Sequence, residues 1–206
     1  MTAGRLIVLE GPDGAGKSTT SARLAERLRS AGECVSCFAL PGNEPGSLGK
    51  HVHGLHHEPT RHGVRGIHAT ALQVLHAAAH IDSIYTTIRP ALERGDIVIM
   101  DRFWWSTLVY GRVTGVDAVT LGLLQQLAEH HWRFAVPSAA YVLMGESDGP
   151  PSAQSQTDQL RHAYSEFVAA LTVPFPVRVL HASGVNDHYA EQILQEFGAR
   201  GRRSPA

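Results

Sequence analysis

Short apolar runs recur along the chain at strand length, over residues 5–10 (RLIVLE), 34–39 (CVSCFA), 96–101 (DIVIMD), 139–144 (AAYVLM) and 177–182 (VRVLHA). Between them apolar residues return every three or four positions with charges interspersed, the period of a helix with one buried face. Ala22, Leu24, Ala25 and Leu28 are one such set. The spacing predicts helices over 17–31, 45–57, 67–93, 117–131, 158–171 and 187–198. Strands that alternate with helices pair in parallel, since each return crosses a face of the sheet. The expected architecture is α/β, a five-stranded parallel sheet with helices on both faces and ligands beyond the carboxyl ends of the strands. One domain is expected over 1–199 and a disordered tail over 200–206. The polar stretch Gly145 to Asp158 (GESDGPPSAQSQTD) is expected to be a mobile loop.

Chemistry enters immediately after the first strand. Gly11, Gly16, Lys17 and Ser18 in GPDGAGKST fit G-x-x-x-x-G-K-[ST] between a strand and a helix. Glycines allow backbone turns that a Cβ forbids, so that Gly14, Ala15, Gly16 and their neighbours can aim N–H groups at one anion, and the helix N-terminus adds partial positive charge. Lys17 then reaches the β- and γ-phosphates, Ser18 offers a hydroxyl to Mg²⁺, and Thr19 follows in the same turn. The fold class becomes that of a P-loop NTPase, with ATP and Mg²⁺ as the expected cofactors.

Composition narrows the rest. The 206 residues carry a formal net charge of -1, which speaks against a nucleic-acid or membrane-binding surface. No signal peptide or membrane span is evident, and the expected location is the cytoplasm. Cys34 and Cys37 fall on the second strand and are expected to be two buried, reduced thiols. At GDIVIMDRFWWST, an apolar strand delivers Asp101 to the sheet's edge, where an acid can complete the Mg²⁺ shell beside Ser18, and Arg102 stands ready to clamp a phosphate. The alternative is that both residues only cap a helix. Phe103, Trp104 and Trp105 either stack on a base or pack in the core.

EGPDGAGKST at 10–19, NEPGSLG at 43–49, IRPALERGDIVIMDR at 88–102 and STLVYG at 106–111 together resemble the thymidylate kinases, P-loop nucleoside-monophosphate kinases, over about residues 5 to 131. The resemblance implies γ-phosphoryl transfer from ATP–Mg²⁺ to dTMP, usually by a homodimer. It places Asp13 near the acceptor's sugar and the metal, Glu44 and Pro45 beside the acceptor, Arg102 between the two phosphates, and Tyr110 against the acceptor's deoxyribose. HASGVND at 181–187, with Ser183 and Gly184, resembles the loop that passes the adenine.

The chain also departs from that pattern. The arginine of R-E-P-G is Asn43, the thymine-stacking phenylalanine falls on His76, the base-reading arginine on His80, another expected arginine on His53, and a frequent glutamine on Gly111. A pocket with different polar groups discriminates steeply between acceptors, so the acceptor is expected to be dTMP, a related nucleoside monophosphate or another small phosphate acceptor. His76 and His80, at i and i+4, are expected to line that pocket, although the same spacing suits a metal with a third ligand from HVHGLHH. The P-loop arginine of some relatives is Gly14, and no Lys or Arg lies between Phe134 and Leu160. Arg161 is then the expected catalytic cation of the lid, with Arg102 and Arg112 as alternatives. A small-molecule kinase with a different acceptor, or a degenerate kinase that only binds nucleotide, stays open.

Overall fold

In a computed structural model the described residues are 4–42, 44–145, 156–181 and 188–201. In chain order the elements are β1 (Arg5–Glu10), α1 (Lys17–Ser30), β2 (Val35–Ala39), α2 (Leu48–His57), a 3₁₀ turn (Pro59–His62), α3 (Ala69–Ser83), a π turn (Ile84–Ile88), α4 (Arg89–Glu93), β3 (Ile97–Asp101), α5 (Trp105–Val113), α6 (Ala118–Trp132), β4 (Ala139–Leu143), α7 (Gln156–Ala170), β5 (Val177–Leu180) and α8 (His188–Gly201). The five strands pair in parallel in the order β2-β3-β1-β4-β5. This is the expected sheet, with β1 at its centre.

The period-2 alternation of β1 explains the layering. Leu6 and Val8 join Val98, Met100, Ile84, Ile88 and Trp105 in one core. Ile7 and Leu9 join Leu24, Leu28, Ile193 and Phe197 from α1 and α8 in the other. Both faces of the strand are covered, as a central parallel strand requires. The register sets Leu9 beside Asp101, so the P-loop leaves β1 next to the acidic end of β3.

Four expectations change. The single helix expected over 67–93 is α3 and α4 joined through the π turn at Ile84–Ile88. Helix α5 was not expected at all: its first residues extend the apolar run of β3 and mask a helical period. Rather than both buried on the strand, Cys34 precedes β2 and is exposed, and Cys37 is half-buried because β2 is an edge strand whose residues are all partly exposed. Helix α8 continues through Gly201, into the first residues of the expected tail, and 202–206 lie outside the described residues. Most of the expected loop, 146–155, also lies outside them. No helix among the described residues is long and apolar enough to cross a membrane.

Phe103, Trp104 and Trp105 are core residues, at 2%, 7% and 1% exposure. Trp105 lies parallel to Phe175 at 6.0 Å and edge-on to Phe103 at 5.5 Å. Such aromatic burial is worth several kcal/mol. Trp105→Ala is expected to lower the free energy of urea unfolding by about 4 kcal/mol, and Val136→Ala, at an exposed site, by less than about 0.5 kcal/mol. Equal shifts in the two unfolding midpoints would contradict this assignment of the core.

Candidate phosphate-transfer site

The site begins where β1 stops. Gly11 has φ 133°, and a Cβ there would lie 2.0 Å from the carbonyl oxygen of Leu143, so only glycine lets the loop leave the sheet at this angle. Gly14 and Gly16 also take left-handed backbone, and Gly16 leads into α1. Gly14, Gly16, Lys17, Ser18 and Thr19 line a cavity of about 710 Å³, while Ala15 packs behind them in the core. Lys17 is buried, and its Nζ donates to the carbonyl of Pro12 at 2.6 Å, inside its own loop. Burial, reinforced by the Arg102 charge, pulls its pKa down to about 8 against the opposing pull of Asp101, Glu10 and Asp13. An arriving phosphate supplies the counter-charge that this lysine lacks.

Ser18 Oγ donates to Asp101 Oδ2 at 2.5 Å. A hydroxyl and a carboxylate in contact, next to a phosphate cradle, form the oxygen-rich set that a hard divalent cation takes. The residues present therefore fit both a nucleotide's phosphates and Mg²⁺.

Arg102 follows Asp101 with a left-handed backbone, φ 76°, uncommon for a residue with a side chain. Its guanidinium pairs with Asp13, donates to Tyr110 Oη at 3.2 Å and Ser106 Oγ at 3.2 Å, and sits 5.1 Å over the Tyr110 ring. Tyr110 in turn donates to Asp13 Oδ2 at 2.8 Å. Partial burial pushes the Asp13 carboxyl up, but Arg102 and then Tyr110 outweigh it and hold the group below its usual value. Asp13, Arg102 and Tyr110 all line the cavity. The alternative in which Arg102 only caps a helix does not describe these contacts.

Glu10 was missed as part of the site because a last strand residue carries no motif signal of its own. It is fully buried, and its carboxylate accepts from the backbone N–H of Phe103 (2.7 Å), Ser106 (3.1 Å) and Gly11 (3.2 Å), from Ser106 Oγ (2.7 Å) and from Tyr164 Oη (2.8 Å).

The opposite wall comes from α2, α3 and α5. His76 and His80 line the cavity, together with His53, His56, His57, Gln73, Thr107 and Thr114. A Cβ at Gly111 carrying any longer side chain would meet Leu121 at 2.8 Å and Gln73 at 3.3 Å, so the small residue leaves Gln73 its place. Burial, followed by the charge of His56, pulls the His76 pKa down to about 4, and burial with the charge of His76 pulls His80 down to about 3. His76 Nε2 is buried with no hydrogen-bond partner. No group of three or more His, Cys, Asp or Glu among the described residues has the geometry to hold a metal, so the i, i+4 pair does not extend to a metal centre.

Other expected residues lie apart. Glu44 and Pro45 are exposed on the turn before α2 and do not line the cavity. Asn43, Ser183 and Gly184 lie outside the described residues. Arg161 Nε donates to the carbonyl of Met144 at 3.1 Å and its Nη1 lies 3.5 Å from Asp158. Arg112 pairs with Glu166 at 2.9 Å, on the far side of α5 from the cavity lining.

A parallel sheet with this cradle at the carboxyl end of its central strand defines a P-loop nucleotide-binding protein. Residues 9–130 match the family model described as thymidylate kinase, and the chain belongs to that family. It is similar to the thymidylate kinase of Deinococcus radiodurans, 39% identical over 128 residues that cover 62% of this chain and 58% of that protein. It is also similar to the thymidylate kinase of Synechococcus sp. (strain CC9605), 41% identical over 131 residues that cover 61% of each. The chain thus spans about three fifths of the length of these relatives. The crystal structure of thymidylate kinase from Ehrlichia chaffeensis has the same fold, with a TM-score of 0.69 at 20% identity over 97% of this chain and 100% of that one.

Two buried neutral imidazoles impose a pH dependence. Unfolded, His76 and His80 titrate near pH 6.5, whereas in the fold they take protons only near pH 4 and pH 3. As the pH falls below about 6.5 the unfolded chain binds more protons, so stability present above that pH is lost. The expected loss is about 2 kcal/mol per histidine between pH 6.5 and pH 5. Urea unfolding at a series of pH values checks this, with His80→Gln removing about half of the slope. A midpoint that stays flat from pH 7 to pH 5 would contradict the buried neutral state.

Proposed function

We propose that this chain catalyses ATP-dependent phosphoryl transfer to a nucleoside monophosphate or a related small phosphate acceptor. One observation carries the reading: a single cavity joins the Lys17–Ser18–Asp101 cradle to a second wall of histidines, Gln73 and Tyr110, with Arg102 between them. A donor and an acceptor can therefore meet in one open cleft. The relatives named thymidylate kinase support the reaction class.

In this reading Lys17 neutralises charge on the migrating phosphoryl group, and the P-loop backbone holds the remaining phosphates. Ser18 and Asp101 would hold Mg²⁺, which would offset the charge of the donor's phosphates. Asp13 and Tyr110 fix the Arg102 guanidinium where transferred oxygens pass. The acceptor oxygen forms its bond to the γ-phosphorus as the bond to the β–γ bridging oxygen breaks, and ADP leaves. Arg161, held near the start of α7 on the Met144 carbonyl, supplies the last cation by exchanging that carbonyl for phosphate.

An acceptor other than dTMP is favoured by His76 and His80, which stay uncharged at neutral pH where an arginine would be cationic. A homodimer is supported by the apolar stripe that Val119, Leu123 and Leu127 leave exposed on α6, next to Val74 of α3 and Tyr85.

ADP release measured across nucleoside monophosphates, nucleosides and small hydroxyl compounds tests this function. We expect at least one acceptor to raise ADP release well above ATP hydrolysis alone, and dTMP to stay below about 10⁴ M⁻¹s⁻¹ in kcat/KM. Lys17→Ala should lower transfer by about 10²-fold or more, and Arg161→Ala by clearly more than about twofold. No stimulation by any acceptor would overturn the kinase reading. Efficient turnover of dTMP would overturn the acceptor assignment, and an unaffected Arg161→Ala would remove that residue from the mechanism.

A further inference from the structure

Helix α2 ends in HVHGLHH, and His53, His56 and His57 all line the cavity. Their rings form a contiguous surface: His53 and His57 lie 4.4 Å apart, and His56 and His57 stack at 4.6 Å. His56 continues the surface to His76 of α3 at 5.2 Å. Across the cavity stand Asp13, Arg102 and Tyr110. Among the described residues the only Lys or Arg in the lining are Lys17 and Arg102. Lys17 belongs to the donor's cradle, and Arg102 is already paired with Asp13. A second phosphate in this cavity must therefore be met chiefly by imidazole.

We propose that His53, His56 and His57 form a proton-switched binding site for a phosphate monoester dianion, the phosphate of the acceptor, so that its binding draws about one proton into the cavity. The proposal rests on the phosphotransfer reading above and adds a regulation to that site: acceptor affinity rises as the pH falls.

The electrostatics of the empty cavity set the switch. Partial burial, then the charges of His57 and Lys50, hold His53 below its usual pKa. Partial burial, then His57 and His53, hold His56 below its own, with Asp13 opposing and Arg102 adding to the effect. Neighbouring positive charge thus favours the neutral form of His53 and of His56. An approaching dianion reverses the balance for the best-placed ring, and the carbonyl end of α2 also favours a cation there. The groups facing this wall are Lys50 of α2 itself, His62 of the adjoining 3₁₀ turn, which lies against Gly54, His76 and His80 of α3, and Asp13 and Arg102 from the sheet's edge. Burial keeps His76 and His80 neutral throughout this range, so they give the acceptor a polar but uncharged wall. An arginine would carry its charge at any pH. Imidazole carries it only when the phosphate arrives, so the site is sensitive to pH in a way that a guanidinium site is not.

The test uses the full chain and methyl phosphate, a phosphate monoester with no base. Histidine ring NMR resonances are followed from about pH 5 to pH 9, with methyl phosphate or with sodium chloride at equal ionic strength. The midpoint of whichever of His53 and His56 meets the phosphate should rise by about two units or more with methyl phosphate only, while His76 and His80 stay unmoved. Calorimetry in buffers of different ionisation enthalpy should show uptake of about one proton near pH 7.5, where the ligand is already dianionic, and Kd should weaken by up to about tenfold per pH unit above that. His53→Gln/His56→Gln/His57→Gln, changed at partly exposed positions, should lose the proton uptake. Unmoved midpoints, equal shifts with chloride, or undiminished uptake in the triple variant would each overturn the proposal. These readouts need no turnover: a chain that transfers to no acceptor yet shows the shifts refutes the kinase reading alone, and active transfer without them refutes the histidine site alone.

Discussion

The carboxylate of Glu10 is the point on which the site depends. It is completely buried, and its two oxygens take five hydrogen bonds, from Gly11, Phe103, Ser106 twice and Tyr164. A buried carboxylate with unfilled acceptor capacity costs several kcal/mol, so these donors are held in place as strongly as they hold it. Helix α5 has no capping side chain of its own, and Glu10 fills that role from the central strand. The same carboxylate thereby joins the start of the P-loop, the start of α5 and the middle of α7. The placement of Arg102 and Tyr110 follows. Arg102 occupies the turn between Asp101 and the capped helix, in a left-handed backbone that the surrounding hydrogen bonds impose, and Tyr110 stands two turns further along α5.

The two ends of the cavity then differ in kind. At the donor end the groups are braced, with Lys17 in its loop and Ser18 held by Asp101. At the acceptor end α2 and α3 contribute imidazoles and an amide. Phosphoryl transfer demands fixed donors where charge develops, and the P-loop end provides them. Acceptor selection depends on hydrogen-bonding groups left satisfied or unsatisfied, and the buried, unpartnered Nε2 of His76 is such a group.

The donor end was legible in the sequence because its chemistry is local. Gly11 to Thr19 lie in one strand–loop–helix unit, and the apolar run into Asp101 is equally compact. The sheet could be read from strand length and alternation. What escaped was whatever depends on long-range packing. Helix α5 merged with an apolar strand in front of it, and its cap, Glu10, lies 93 residues from Phe103. The place of Cys37 on an edge strand follows from strand order, which periodicity does not encode. His53 was noted as a departure from a family pattern, but its alignment with His56, His57 and His76 across two helices exists only after α2 packs on α3.

A double-mutant cycle on Glu10 and Tyr164 in urea measures the claim that one carboxylate fastens these elements together. If Tyr164 acts through Glu10, Tyr164→Phe should cost about 1–3 kcal/mol in the native background and markedly less in Glu10→Gln, a coupling of about 1 kcal/mol or more. Costs that add to within about 0.5 kcal/mol would show that the tyrosine hydroxyl and the carboxylate act independently, and would remove Glu10 as the organiser of the site.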